Sequence, residues 1–270
     1  MNRSPLPAGL ALVLLAAVLL AGCTSTQTPA LQPPVTTGAP AAVPPSEHVA
    51  APGTIRAETP AATDYVTLLG TVKSDSPVWT EAYRIFRNMK STEYVHTTYV
   101  DEEKGIYRFD CLGFVDYVLQ QGAPAGFKAA GKGYERPQLV VYGDYFAKLG
   151  AEPNAEGWSR VFRPIDLKPG DICLWQKKTE GSVGHMWIIA GTPSINPERK
   201  DEVMVRILDS DGVHGDDSRA EKSYKYGLGT GILGMMVDST GSPTGLYWEG
   251  GNLTSPALPD PTIECARYRA

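Results

Sequence analysis

Gly150 divides the chain into two stretches whose apolar residues repeat with different periods, and this change limits the fold more than any other feature. Before it the spacing is helical. Ser76-Pro77 offers an N-cap followed by a proline at the first helical position, and Trp79, Ala82, Phe86 and Met89 then share one face. Cys111 to Gln121 predicts a second helix, with Cys111, Phe114, Val115, Val118 and Leu119 on one face and Asp110 where an N-cap stands. Pro137 to Leu149 predicts a third, carrying Leu139, Tyr142, Phe146 and Leu149, with Gly150 as its stop. After Gly150 come short β-branched and aromatic runs: Asp171 to Trp175, His185 to Ala190, Val203 to Leu208, Ile232 to Val237 and Leu246 to Trp248. Gly, Pro, Ser and Asp clusters separate them. Helices first and strands afterwards predict an α+β domain with a mainly antiparallel sheet.

The N-terminal region obeys neither period. Residues 1–22 read as a secretory signal, with Arg3 as the positive end, Leu10 to Leu20 as an apolar run too short to span a bilayer comfortably, and small residues after it. The segment Leu20-Ala21-Gly22-Cys23 resembles a bacterial lipobox, which implies lipidation at Cys23 and anchorage in the cell envelope. Thr24 in place of an Asp implies, by resemblance to Gram-negative lipoproteins, the outer membrane facing the periplasm in a host that has one. From residue 23 to 60 the chain is rich in Pro, Ala and Thr, with no charged residue before Glu47, so it cannot bury enough apolar surface to offset its ordering entropy. We read it as a disordered tether, leaving residues 61–270 as one domain with a proper core. Without Arg3, 24 of the 25 basic residues face 30 acidic ones, a net charge of −6, and nucleic acid is not an expected partner.

With Cys23 lipidated, three thiols remain: Cys111, Cys173 and Cys265. An odd count in an oxidising compartment leaves at least one free. A disulfide, if one forms, is expected between Cys173 and Cys265; the alternative is Cys173 buried as a small hydrophobe.

Cys111 opens an amphipathic helix, where the helix dipole favours the thiolate, the nucleophilic form, and where unpaired backbone N–H groups can receive an oxyanion. Such a thiol needs a base, and histidine titrates nearest neutrality. His48 lies in the tether. Of His96, His185 and His214, the best placed is His185, which starts a strand after the loop from Thr179 to Gly184. Tyr94 and His96 precede the nucleophile and are candidates for contact with substrate or oxyanion, although a packing or rim role fits them as well. His214 belongs to the run from Asp209 to Asp217, which lacks calcium-loop spacing and reads as a solvated loop at the rim of the cleft, with no metal expected. Leu167 to Asp171 reads as a Pro-Gly turn whose backbone Asp171 caps.

Asp110-Cys111-x-Gly113-Phe114-Val115, then Leu167-Lys168-Pro169-Gly170-Asp171-Ile172, then Gly184-His185 resemble the three successive signatures of the NlpC-type cell-wall peptidases. The resemblance covers about Tyr94 to Asp217. It implies a papain-like fold without cofactor, in which Cys111 attacks, His185 is the base and a polar residue on the next strand, Asp209, orients the imidazole. It also implies amide bonds of peptidoglycan peptides as substrate. Two positions depart from the family: Leu112 where a small Ser is usual, and Asp209 where His is common. His214 competes with Asp209 for the orienting role, but strand alternation puts Asp209 on the Ile207 face. Acyl transfer, or hydrolysis of another amide or ester by the same Cys-His pair, and a catalytically silent envelope-binding module are the alternatives.

Overall fold

Ser76 begins the described fold's first long helix as its sequence requires: its Oγ accepts from the Trp79 amide at 3.3 Å, and Pro77 occupies the first turn. We analysed a computed structural model, which describes residues 64–177, 183–220, 222, 225–259 and 261–270. The signal-like segment, Cys23 and the tract to residue 60 lie outside the described residues, as do residues 179–182 of the loop before His185. Five helices are described: α1 (Tyr65–Gly70), α2 (Pro77–Asn88), α3 (Cys111–Gly122), α4 (Pro124–Ala130) and α5 (Leu139–Phe146). The last is shorter than its apolar spacing predicts, because Gln138 is extended and its side chain makes no cap. Among the described residues no helix is long and apolar enough to cross a membrane.

Strands also precede the nucleophile helix, against the expected order of helices first. β1 (Ser91–Tyr94), β2 (Tyr99–Asp101) and β3 (Ile106–Phe109) form a small sheet ordered β1-β3-β2, with β1 and β3 parallel. Only Thr92 of β1 is buried, so its sequence shows no apolar alternation; the pairing with β3 makes it a strand.

The second half of the chain forms the large sheet from β4 (Trp158–Arg160), β5 (Ile172–Gln176), β6 (Gly184–Ile189), β7 (Ser194–Ile195), β8 (Glu202–Asp211), β9 (Gly227–Val237), β10 (Pro243–Tyr247), β11 (Ala257–Pro259) and β12 (Thr262–Tyr268). Its order is β11-β10-β9-β8-β6-β5-β12-β4, with β7 beside β8, and its pairings are antiparallel. The fold is therefore α+β with a mainly antiparallel sheet. One face, through Ile172, Leu174, Met186, Ile188 and Leu208, packs on α2, α3 and α5. The other, through Trp187, Ile189, Val203, Val205, Ile207, Leu233 and Leu246, forms a second core where β10 comes against β12. The alternation expected of Val203, Val205 and Ile207 holds.

Lys168 N donates to Asp171 Oδ2 at 2.8 Å, and Gly170 takes the positive φ (95°) that the turn into β5 requires. Cys173 and Cys265 stand opposite each other in β5 and β12 and are bridged across a sequence separation of 92; Cys111 is free. Closing a loop of that length restricts the unfolded chain by about 4–5 kcal/mol. A Cys173→Ser, Cys265→Ser double variant is expected to lose most of that in urea denaturation. Non-reducing peptide mapping should recover the Cys173–Cys265 pair, and active protein with Cys111 in a disulfide would contradict the assignment.

Candidate active site

The nucleophile's position follows from the helix start. Asp110 caps α3, its Oδ1 accepting from the Gly113 amide at 2.7 Å. A β-carbon at Gly113 would lie 2.6 Å from Thr98 Oγ1 and 3.0 Å from the capping carboxylate, so the capped turn leaves no room for a side chain there. Asp110 Oδ2 is held by Arg136 Nη2 at 2.8 Å and approached by His96 Nδ1 at 3.2 Å. Cys111 is the first residue of the helix and half-buried, beside the N–H groups that every helix start leaves without intrahelical acceptors.

The base comes from β6, which pairs with β8 in the register Ile188↔Leu208 and Ile189↔Ile207. Carried forward, that register sets Trp187 opposite Asp209 and His185 opposite Asp211, all on one face. His185 Nε2 lies 2.8 Å from Asp209 Oδ2, and its Nδ1 lies 3.2 Å from Asp211 Oδ2. The ring stacks on Trp187 and meets the Trp248 ring at 5.4 Å. Cys111 lies close enough to His185 and to the phenol of Tyr94 for its charge to act on both. Ser210, on the opposite face of β8, ties this strand to the nucleophile's own segment: its buried Oγ donates to the Phe109 carbonyl at 2.9 Å.

The electrostatics are those of a buried ion pair. Burial of His185 opposes its charge, but the Asp209 hydrogen bond, followed by the hydrogen bond and charge of Cys111, outweighs it and pushes the imidazole up to about 10. Burial likewise opposes the Asp209 charge, yet Arg219 and His214, with the hydrogen bonds from both histidines, hold that carboxyl well below the usual range. Tyr94 is raised, first by burial and then by the charges of Cys111 and Asp211, so it stays a protonated donor.

Of the residues singled out from sequence, Cys111, His185, Asp209 and Tyr94 meet. His214 does not face the thiol: it lies behind Asp209, with Nε2 2.8 Å from Asp209 Oδ2 and Nδ1 3.0 Å from the Trp248 carbonyl. His96 is exposed and sits on the Asp110 cap, edge-on to Tyr94. The run from Asp209 to Asp217 is not a solvated rim loop. Asp209, His214 and Asp217 are buried, because Arg219, itself 1 % exposed, compensates their carboxylates. Sequence reasoning passed over Arg219 and Asp211, although alternation from Asp209 points to Asp211 directly. His185, Asp209 and His214 bring ligand atoms within 4.8 Å of one another, a donor set that metals use. Their contacts have hydrogen-bond lengths, and the Arg219 guanidinium 3.0 Å from the same carboxylate opposes a cation. Compared with protein-family models, curated proteins and solved structures, the chain finds no match.

Proposed function

We propose that the protein is a papain-like, NlpC-type cysteine peptidase of the cell envelope, anchored through Cys23, that hydrolyses amide bonds in peptidoglycan peptides. The observation that carries this reading is the place of Cys111 at a capped helix start, near enough for its charge to act on His185, whose Nε2 lies 2.8 Å from Asp209 Oδ2. The thiolate attacks the carbonyl, the helix-start N–H groups and the Tyr94 phenol supply donors to the oxyanion, and the His185 imidazolium protonates the departing amine. Neutral His185 then takes a proton from water as the thioester is hydrolysed. The substrate class rests on the sequence signatures and the lipobox. Mass spectrometry of muropeptides incubated with wild type and with Cys111→Ala tests it. Cleavage confined to wild type supports the reading, whereas Cys111-dependent turnover of simple esters or acyl transfer to an added amine, without muropeptide cleavage, replaces it.

The raised His185 gives a pH expectation with a definite sign. The imidazolium is the general acid, fully present below its pKa and lost as pH rises through about 10. Turnover should therefore hold across the neutral range and fall on the approach to pH 10. A pH–rate profile already falling near pH 7 on its alkaline side contradicts the ion pair.

A further inference from the structure

Arg219 is the largest cation buried among the described residues, and all five of its N–H groups find acceptors. Nε and Nη2 donate to the two oxygens of Asp217 at 2.8 and 2.7 Å; Nη2 also donates to Asp209 Oδ1 at 3.0 Å; Nη1 donates to the carbonyls of Asp211 and Gly227 at 3.1 and 2.9 Å. Asp217 in turn accepts from the backbone amides of His214 and Arg219, at 2.9 and 2.7 Å, which fixes the segment carrying both side chains. His214 meets acceptors at both ring nitrogens: the Trp248 carbonyl at Nδ1 and Asp209 Oδ2 at Nε2. The cluster thus sets two carboxylates, Asp209 and Asp217, against the Arg219 guanidinium and the His214 ring. On its other side His185 faces the Asp211 carboxylate, 3.2 Å from Nδ1, and the Cys111 sulfur.

We propose that Arg219 and His214 are positioning residues for the reacting thiol: from behind, they fix both oxygens of Asp209, leaving Oδ2 one direction in which to hold the His185 ring toward Cys111. This rests on Cys111 and His185 being the reacting pair, and on nothing about the substrate. The charged and titratable groups on the thiol's side are Tyr94 from β1, Asp110 at the cap of α3 with His96 and Arg136 on its carboxylate, and Asp211 from β8, of which Arg219 touches Asp211 through its backbone carbonyl and His214 touches none.

Alkylation of Cys111 by iodoacetamide, followed against pH on the intact protein, reads the thiolate directly and needs no substrate. Arg219→Lys keeps the charge but loses the five-donor fork; His214→Gln keeps a single donor toward Asp209. With folding checked by circular dichroism, both alkylation profiles are expected to move upward by about one pH unit, a roughly tenfold slower reaction on the acid limb. Should Arg219→Lys fail to fold, His214→Gln decides alone. Folded variants whose profiles superimpose on wild type overturn the proposal, as does a wild-type profile like that of a free thiol. If the shift appears while muropeptides are left intact, the peptidase reading fails and this one stands.

Discussion

Cys111→Ala is expected to lower turnover of muropeptides by at least about a thousandfold while leaving the fold intact. Removing one half-buried sulfur from the first turn of α3 leaves the Asp110 cap on Gly113 in place, and the Cys173–Cys265 bridge is untouched. The stability change should stay within about 1 kcal/mol. What disappears is the only free thiol among the described residues, and with it both the nucleophile and the charge that it sets beside His185. Mass spectrometry of the products together with thermal denaturation separates loss of chemistry from loss of fold. Substantial residual cleavage in a folded variant would falsify the cysteine mechanism.

Asp209→Asn is expected to lower kcat by about two to four orders of magnitude with little change in KM. The asparagine oxygen is drawn toward Arg219 Nη2, which now contacts Oδ1 at 3.0 Å, and this turns the amide NH2 toward His185 Nε2. A donor facing that nitrogen selects the tautomer with its proton on Nδ1, so the neutral base no longer points a lone pair at the Cys111 proton. His214→Ala removes one of the supports of Asp209 and leaves the carboxylate's contacts with His185 and Arg219, so its cost should be much smaller, about tenfold. Steady-state kinetics on both variants distinguishes the roles. An Asp209→Asn enzyme near wild type beside an inactive His214→Ala enzyme would give the orienting role to His214.

The parts of the fold that were legible in sequence are those in which a local signal and a buried face agree. Ser76-Pro77 and Asp110 mark helix starts because a cap and a first turn are local chemistry, and both appear where the sequence sets them. Asp209 was legible because strand alternation is a rule of two and β6 pairs β8 as a neighbour. The small sheet was not, since β1 is a strand only through its partner β3. Nor was β12, in which Glu264 and Arg267 sit among apolar residues; their presence makes sense only once Arg267 is seen on Asp171 and Arg160 on Glu264. The buried role of the Asp209 to Asp217 run was hidden for the same reason, because a run of acids looks solvated until the arginine that neutralises it is placed beside it.

The position of β12 has a consequence for how the chain acquires its shape. This late strand lies in the interior of the sheet, between β5 and β4, both of which come about a hundred residues earlier; until β12 arrives β5 is paired only with β6, on one side, and β4 lacks its partner. Contacts so distant along the chain must bear their loop-closure entropy before they return any stabilisation, which makes this step slow. A chain still emerging, or one cut before Thr262, presents β5 as a bare apolar edge, Ile172 and Leu174 included, with Cys173 as an unpaired thiol. Assembly of the sheet is thus set by its last strand, and the interval before that strand docks is when the protein is most exposed to aggregation and to wrong thiol pairing.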